Sequence, residues 1–268
     1  MFYEIISKLL SESLLSLYPI FVKNIGLPLL LQTWSRCFSY AFISTFFVDY
    51  SFIINTLTSY SGILLSLVTI IHIYTSYRGF LLLESGVAYS IFYLYPIMIL
   101  LMAKKTVNPI IILALVGVFL LVSNDTFYID NTEGFIMILL AAFTEALIYF
   151  LVKNIATDNP WNHLFISYFL GAILLSVYIL YQYTRYIRDI KIDGRLSASL
   201  GINSVIGLVG YVLRFFAMSR LDTILYAVLS YFGIIMAFVY GIFINGDSVD
   251  LKKVIGAILI VVSNYFLL

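Results

Sequence analysis

Six stretches of this chain, residues 50–77, 85–103, 106–124, 159–184, 196–213 and 223–246, carry no Asp, Glu, Lys or Arg. Each is 18 residues or longer, and an α-helix rising about 1.5 Å per residue needs roughly 20 residues to cross a ~30 Å hydrocarbon core. A soluble domain does not accumulate such runs. The chain is 62% hydrophobic and 11% charged, against about 45–50% and about 25% in ordinary soluble proteins, and its mean hydropathy is +1.04. The pattern predicts an all-α polytopic membrane protein embedded in a lipid bilayer.

The same composition excludes several functions. A net charge of +1 offers nucleic acid no electrostatic footprint. Cys37 stands alone, so there is no internal disulfide or cysteine metal cluster. His72 and His163 lie far apart in sequence, which argues against a metal-centred enzyme. No phosphate-cradling glycine loop is present. No cofactor and no enzymatic activity are therefore predicted. Near the start, Glu4 and Lys8 interrupt the first apolar turns. That reads as a first spanning helix, not as a signal peptide with a basic leader and a small-residue cleavage site.

Apolar length and turn signals predict ten helices, at about 4–22, 28–48, 54–76, 83–103, 107–123, 134–152, 162–182, 198–217, 223–244 and 252–267. Asn108-Pro109 is a helix start. The most charged connections are 124–133 and 183–195.

The chain also contains one design twice. Leu82–Asn124 has Tyr89 and Pro96, then Lys104-Lys105, then a helix closing on Val122-Ser123-Asn124. Near the other end stand Tyr226 and Gly233, then Lys252-Lys253, then Val262-Ser263-Asn264. The offset is 137 for the first two pairs and 140 for the last. Val22-Lys23-Asn24-Ile25 returns as Val152-Lys153-Asn154-Ile155. Residues 1–124 and 134–268 are thus predicted as two five-helix repeats joined by 125–133. Five is odd, so the second repeat enters the membrane from the opposite side. Inverted repeats place substrate sites near the midplane, between the two copies.

With these features in view, the sequence resembles the drug/metabolite transporter superfamily, and within it the EamA-like family. Ser85-Gly86-Val87-Ala88 through Tyr95-Pro96-Ile97 matches that family's fourth helix, a small-residue approach followed by a mid-helix proline. The second copy departs from it, with Gly233 where a proline is usual. Leu17–Lys23 and Arg36-Cys37-Phe38 resemble the family's first and second helices. The resemblance implies ten helices in two inverted repeats, a central cavity and transport of a small-molecule solute. A non-transporting scaffold or receptor-like protein that kept the fold is the rival expectation.

Several side chains are candidates to line that cavity. Paired Pro/Gly interruptions at Pro96 and Gly233 mark a binding site in two-repeat transporters; the plain alternative is a packing kink. Glu12 and Glu145 fall inside spans, where an acid faces a cavity or a partner. Burial favours a carboxyl's protonated form, as a proton-coupling group requires. Lys8, one turn from Glu12, is the obvious local partner. Arg214 and Arg36 could hold a carboxylate or phosphate as a fork, or snorkel to an interface. Tyr89 and Tyr93 share a helix face, Tyr95 does not, and Tyr226 repeats Tyr89. His72 is expected to be neutral and hydrogen-bonded. Asn124-Asp125-Thr126 is a glycosylation sequon by pattern, too close to the membrane to be used. The predicted substrate-binding set is Glu12, Tyr89, Tyr93, Pro96, Glu145, Arg214, Tyr226 and Gly233.

Overall fold

A computed structural model describes residues 2–104, 111–122, 131–182, 194–246, 248 and 250–266. Lys105, Asn108-Pro109, the sequon at 124–126 and the charged stretch 183–193 lie outside them. Among the described residues the protein is all-helical, 86% of it in helices and none in strands. Backbone polar groups in hydrocarbon can only be satisfied within a helix or a closed barrel.

The first half contains α1 (Phe2–Leu15), α2 (Tyr18–Asn24), α3 (Leu29–Ser44), α4 (Tyr50–Leu57), α5 (Tyr60–Leu82), α6 (Ser85–Phe92), α7 (Tyr95–Met102) and α8 (Ile111–Val122). The second contains α9 (Thr132–Asn154), α10 (Pro160–Tyr181), α11 (Gly194–Arg220), α12 (Thr223–Ser230), α13 (Phe232–Tyr240) and α14 (Leu251–Phe266). A π-helical turn, Gly241–Asn245, extends α13. Among the described residues, seven spans are long and apolar enough to cross a membrane: Phe2–Asn24, Tyr60–Leu82, Ser85–Met102, Thr132–Asn154, Pro160–Tyr181, Leu196–Arg220 and Thr223–Ile244. The apolar helices α3, α8 and α14 are shorter, at 16, 12 and 16 residues.

Side chains on the helices start several of them. Asn131 caps α9 at Gly134 N, Asn159 caps α10 at Trp161 N beside Pro160, and Asp222 caps α12 at Ile224 N and Leu225 N. Each satisfies backbone donors that a first turn leaves open.

The predicted helices differ from the observed ones in their breaks. The first, fourth and ninth are each split: at Ser16-Leu17, at Tyr93-Leu94 and at Tyr231. Leu-Tyr-Pro-Ile occurs at 17–20 and again at 94–97, and in both places the leucine caps a new helix with proline in its first turn. Proline is tolerated there because that N–H has no helical acceptor. Pro96 therefore opens α7; it does not kink the interior of a continuous helix, as the sequence suggested. The third predicted helix also runs further, to Leu82, so Arg78 lies in its last turns and pairs with Glu133 at 2.7 Å.

The helices pack in matched pairs. α1 lies on α11 and α5 on α9; α3 lies on α10, α8 on α14, and α7 on α12. Exchange of the two halves turns the first pair into the second and returns α3 on α10 and α8 on α14 to themselves; it turns α7 on α12 into α13 on α6, which also pack together. The crossing of α8 and α14 is closest at two glycines. A Cβ on Gly117 would lie 2.6 Å from the carbonyl oxygen of Gly256, and one on Gly256 would lie 2.8 Å from that of Gly117. Small residues are what permit such approach in membrane helices. The polarity of the bundle is inside out. Phe38, Phe42, Phe46, Ile112, Leu115, Leu180 and Phe243 are exposed, while Lys8, Glu12, Arg36, His72, Glu145 and Arg214 are buried.

Candidate functional site

Glu12 sits on α1 and Arg214 on α11, the two helices that pack against each other across the halves. Arg214 is 1% exposed and forks between two acids. Its Nη2 lies 3.1 and 3.2 Å from the carboxylate oxygens of Glu12, and its Nη1 lies 2.7 Å from Oε1 of Glu145 on α9. Glu12 also accepts from Lys8 Nζ, one turn before it, and from the hydroxyl of Tyr93. Lys8 reaches Tyr95 Oη at 3.3 Å and lies 3.7 Å from the centre of the Tyr226 ring. Each isolated charge at this depth would cost about 2.5–3.5 kcal/mol on insertion scales. The pairing offsets that cost, since hydrogen bonds to charged groups are each worth roughly 1.5–3 kcal/mol.

Glu145 is held less completely. Its second oxygen has no hydrogen-bond partner, although His72 Nε2 lies 3.4 Å away. The other ring nitrogen of His72 faces Ala141 O and Thr144 Oγ1 at 3.1 and 3.2 Å. The described residues thus link α1, α9, α11, α7 and Tyr93 at the break after α6 through one polar network, with His72 of α5 beside Glu145.

Two more predicted residues join it through the backbone. Tyr89 donates to the carbonyl of Leu15, and Ser16 donates to the carbonyl of Gly233 at 3.0 Å. Both acceptors lie close to helix breaks. Gly233 also makes room for Tyr93: a Cβ there would come within 1.8 Å of the Tyr93 hydroxyl. Glu12, Tyr89, Tyr93, Glu145, Arg214, Tyr226 and Gly233 therefore converge in one region. Pro96 is buried next to Tyr95 and acts on the region through the helix start.

Sequence reasoning set Tyr95 apart because a continuous helix would turn it away from Tyr89 and Tyr93. The break at Tyr93-Leu94 re-aims it, and all three are buried together. The repeated Leu-Tyr-Pro-Ile was the signal available. It also gave Arg36 a possible snorkelling role, but Arg36 is 4% exposed and lies inside a ring of tyrosines. Its Cζ is 4.5 Å from the Tyr211 ring centre, 4.7 Å from Tyr18, 5.5 Å from Tyr77 and 5.6 Å from both Tyr40 and Tyr168. Tyr211 stands three residues before Arg214, and its ring also lies 5.4 Å from that guanidinium.

Between the two arginines is a cavity of about 10 Å³, room for about one water. It is lined by Arg36, His72, Ser76, Tyr89, Tyr211 and Arg214, among others. The site is closed around its own polar groups. A larger groove of about 380 Å³ between α3 and α10 is lined mainly by apolar residues such as Phe38, Phe42 and Val177, and by none of the predicted site residues.

A helical bundle with an apolar exterior and a buried ionic core is a multi-pass integral membrane protein. This chain belongs to the EamA-like transporter family, whose model matches residues 132–268. No curated protein sequence matched it. A crystal structure with 14% identity covers 97% of this chain and 93% of its own, with a TM-score of 0.64. That is a likeness of fold alone.

Proposed function

We propose that this protein is a secondary transporter of a small organic solute, built as two inverted five-helix repeats of ten spanning helices and working by alternating access. Arg214 carries the reading, because it joins acids from both halves: Glu12 from the first and Glu145 from the second. A rocking motion of one repeat against the other must remake those pairs, so the network is placed to sense which side is open. The matched helix pairs and the reciprocal glycines Gly117 and Gly256 support the two-repeat arrangement. Their spacing of 139 residues lies between the offsets of the sequence repeat.

Within the network, Glu145 is the better candidate for coupling to protons. Glu12 is held by Arg214, Lys8 and Tyr93 together, whereas Glu145 has one strong donor and an open oxygen beside His72. The test is solute flux into proteoliposomes, run over a mixed metabolite panel and a range of pH. Glu145→Gln keeps shape and hydrogen bonding but cannot titrate, and it is expected to remove the pH dependence of flux. Wild-type rates and pH response in both Glu145→Gln and Glu12→Gln would point to a uniporter or exchanger instead.

One observation favours a scaffold that does not transport: the polar groups are largely paired and the cavity is small. Against it stand Arg36 Nε, Arg214 Nε, Tyr226 Oη and Ser90 Oγ, all buried without partners. A permanently sealed core has no reason to keep such groups, because each unmade hydrogen bond costs about 1–3 kcal/mol. Absence of flux for every solute in the panel would favour the scaffold.

A further inference from the structure

Three cationic side chains, Lys8, Arg36 and Arg214, and two acidic ones, Glu12 and Glu145, are buried among the described residues. Lys8 and Arg214 share the two acids. Arg36 is left over: among the described residues, no carboxylate pairs with it. An arginine stays protonated in a protein, and a buried charge without a counter-charge is rare unless something occupies the place of the partner.

The surroundings are those of a built site. Arg36 Nη2 donates to Tyr168 Oη at 2.8 Å and Nη1 approaches Tyr77 Oη at 3.5 Å, while Nε has no acceptor. Tyr18 and Tyr40 hydrogen-bond each other at 2.5 Å beside it. Gly207 on α11 makes that pair possible, since a Cβ there would come within 1.8 Å of both hydroxyls. The five tyrosines come from α2, α3, α5, α10 and α11, hence from both halves. Tyrosine hydroxyls are donors as well as acceptors, so a ring of them around a guanidinium suits an anionic group that needs several donors.

We propose that Arg36 and its tyrosine ring bind the carboxylate or phosphate group of the solute, so that the transported molecule is an organic anion. This rests on the transport reading for the word solute, but the binding site stands on the geometry alone. The cavity between Arg36 and Arg214 gives the rest of the molecule a place to extend as the repeats separate, with His72 and Ser76 on its wall. Arg36 Nε, which has no acceptor, is the donor left for an oxyanion, and a second N–H of the guanidinium lies parallel to it. Lys8 and Arg214 already face two acids, Glu12 and Glu145, and so compete less for the anion than Arg36 does.

The experiment is thermal unfolding of the purified protein in a neutral detergent, so that no lipid phosphate is present. The probes are butyrate, benzoate, inorganic phosphate and chloride, with butyramide and benzamide as uncharged isosteres. Specific binding to the native state raises the melting temperature with probe concentration. A rise with benzoate or butyrate but not with the amides identifies a carboxylate solute, and a rise with phosphate alone identifies a phosphorylated one. In either case Arg36→Gln is expected to lower the affinity roughly 10- to 100-fold. Without any probe, Arg36→Gln is expected to remain folded: it gives up the bond to Tyr168 but also a buried charge that no carboxylate pairs with among the described residues. Should that variant unfold, the site assignment is withdrawn unless Arg36→Lys, which keeps the charge but not the fork, remains folded and loses affinity about tenfold or more. No shift with any oxyanion, a shift with chloride only, or an unchanged shift in either variant would overturn the proposal. Flux of uncharged solutes without any anion shift would remove the site and leave the transporter. Anion binding without flux of any solute would do the reverse.

Discussion

Arg214 and Glu12 show how differently two buried charges can weigh. Removing Arg214 leaves Glu12 with Lys8 and Tyr93 and takes from Glu145 its arginine donor, and breaking a buried pair typically costs about 3–5 kcal/mol. Arg214→Gln is therefore expected to lower the melting temperature in detergent sharply, and Arg214→Lys less so. Melting curves of the two variants check this, and equal curves for both and wild type would show that the network adds nothing to stability. Both acids could be found by eye, because Glu stands out in an apolar run. Arg214 was a candidate too, but that both acids share it could not be read, since Arg214 and Glu12 are 202 residues apart and only the packing of α1 on α11 joins them.

At the scale of the helix, the informative feature is where each rod ends. Hydrophobic length put helices where seven candidate spans lie among the described residues, but it was blind to the breaks, because the chain stays apolar through Leu94 and beyond Leu17. Proline gave the neighbourhood but not the geometry: it sits in the first turn of a new helix, where it removes no bond. Pro96→Ala is accordingly expected to change transport little. Gly233→Ala is expected to do much more, since the added methyl group meets the Tyr93 hydroxyl that donates to Glu12. Relative flux in proteoliposomes, at equal protein incorporation, decides between them, and a larger loss in Pro96→Ala would reverse the assignment. For the same reason Tyr95 was misjudged from its spacing, which holds only within one unbroken helix.

For the whole molecule, short sequence echoes such as Val-Lys-Asn-Ile at 22–25 and 152–155 give the expectation of two halves. Most of the seam between them, residues 125–130, and the 183–193 stretch lie outside the described residues. The ten spans proposed above would put both termini on one side of the membrane, so reporter tags at the two ends are expected to label from the same compartment. Tags reporting opposite sides would break the two-repeat reading. The pairing of Glu12 also bears on how the chain is made. Ribosomes add roughly 5–20 residues per second, so Arg214 emerges about 10–40 s after Glu12. During that interval α1 must wait in the bilayer with an acid whose later partner does not yet exist. Lys8, four residues away on the same helix, is there from the start and can hold the acid neutral meanwhile. Lys8→Met should therefore reduce membrane insertion during synthesis more than it reduces the stability of the protein that does assemble. A pulse-labelled insertion assay beside a melting curve separates the two, and the idea fails if insertion is unchanged. On this view the lysine is a chaperone built into the first helix, one whose service is largely over once the eleventh has arrived.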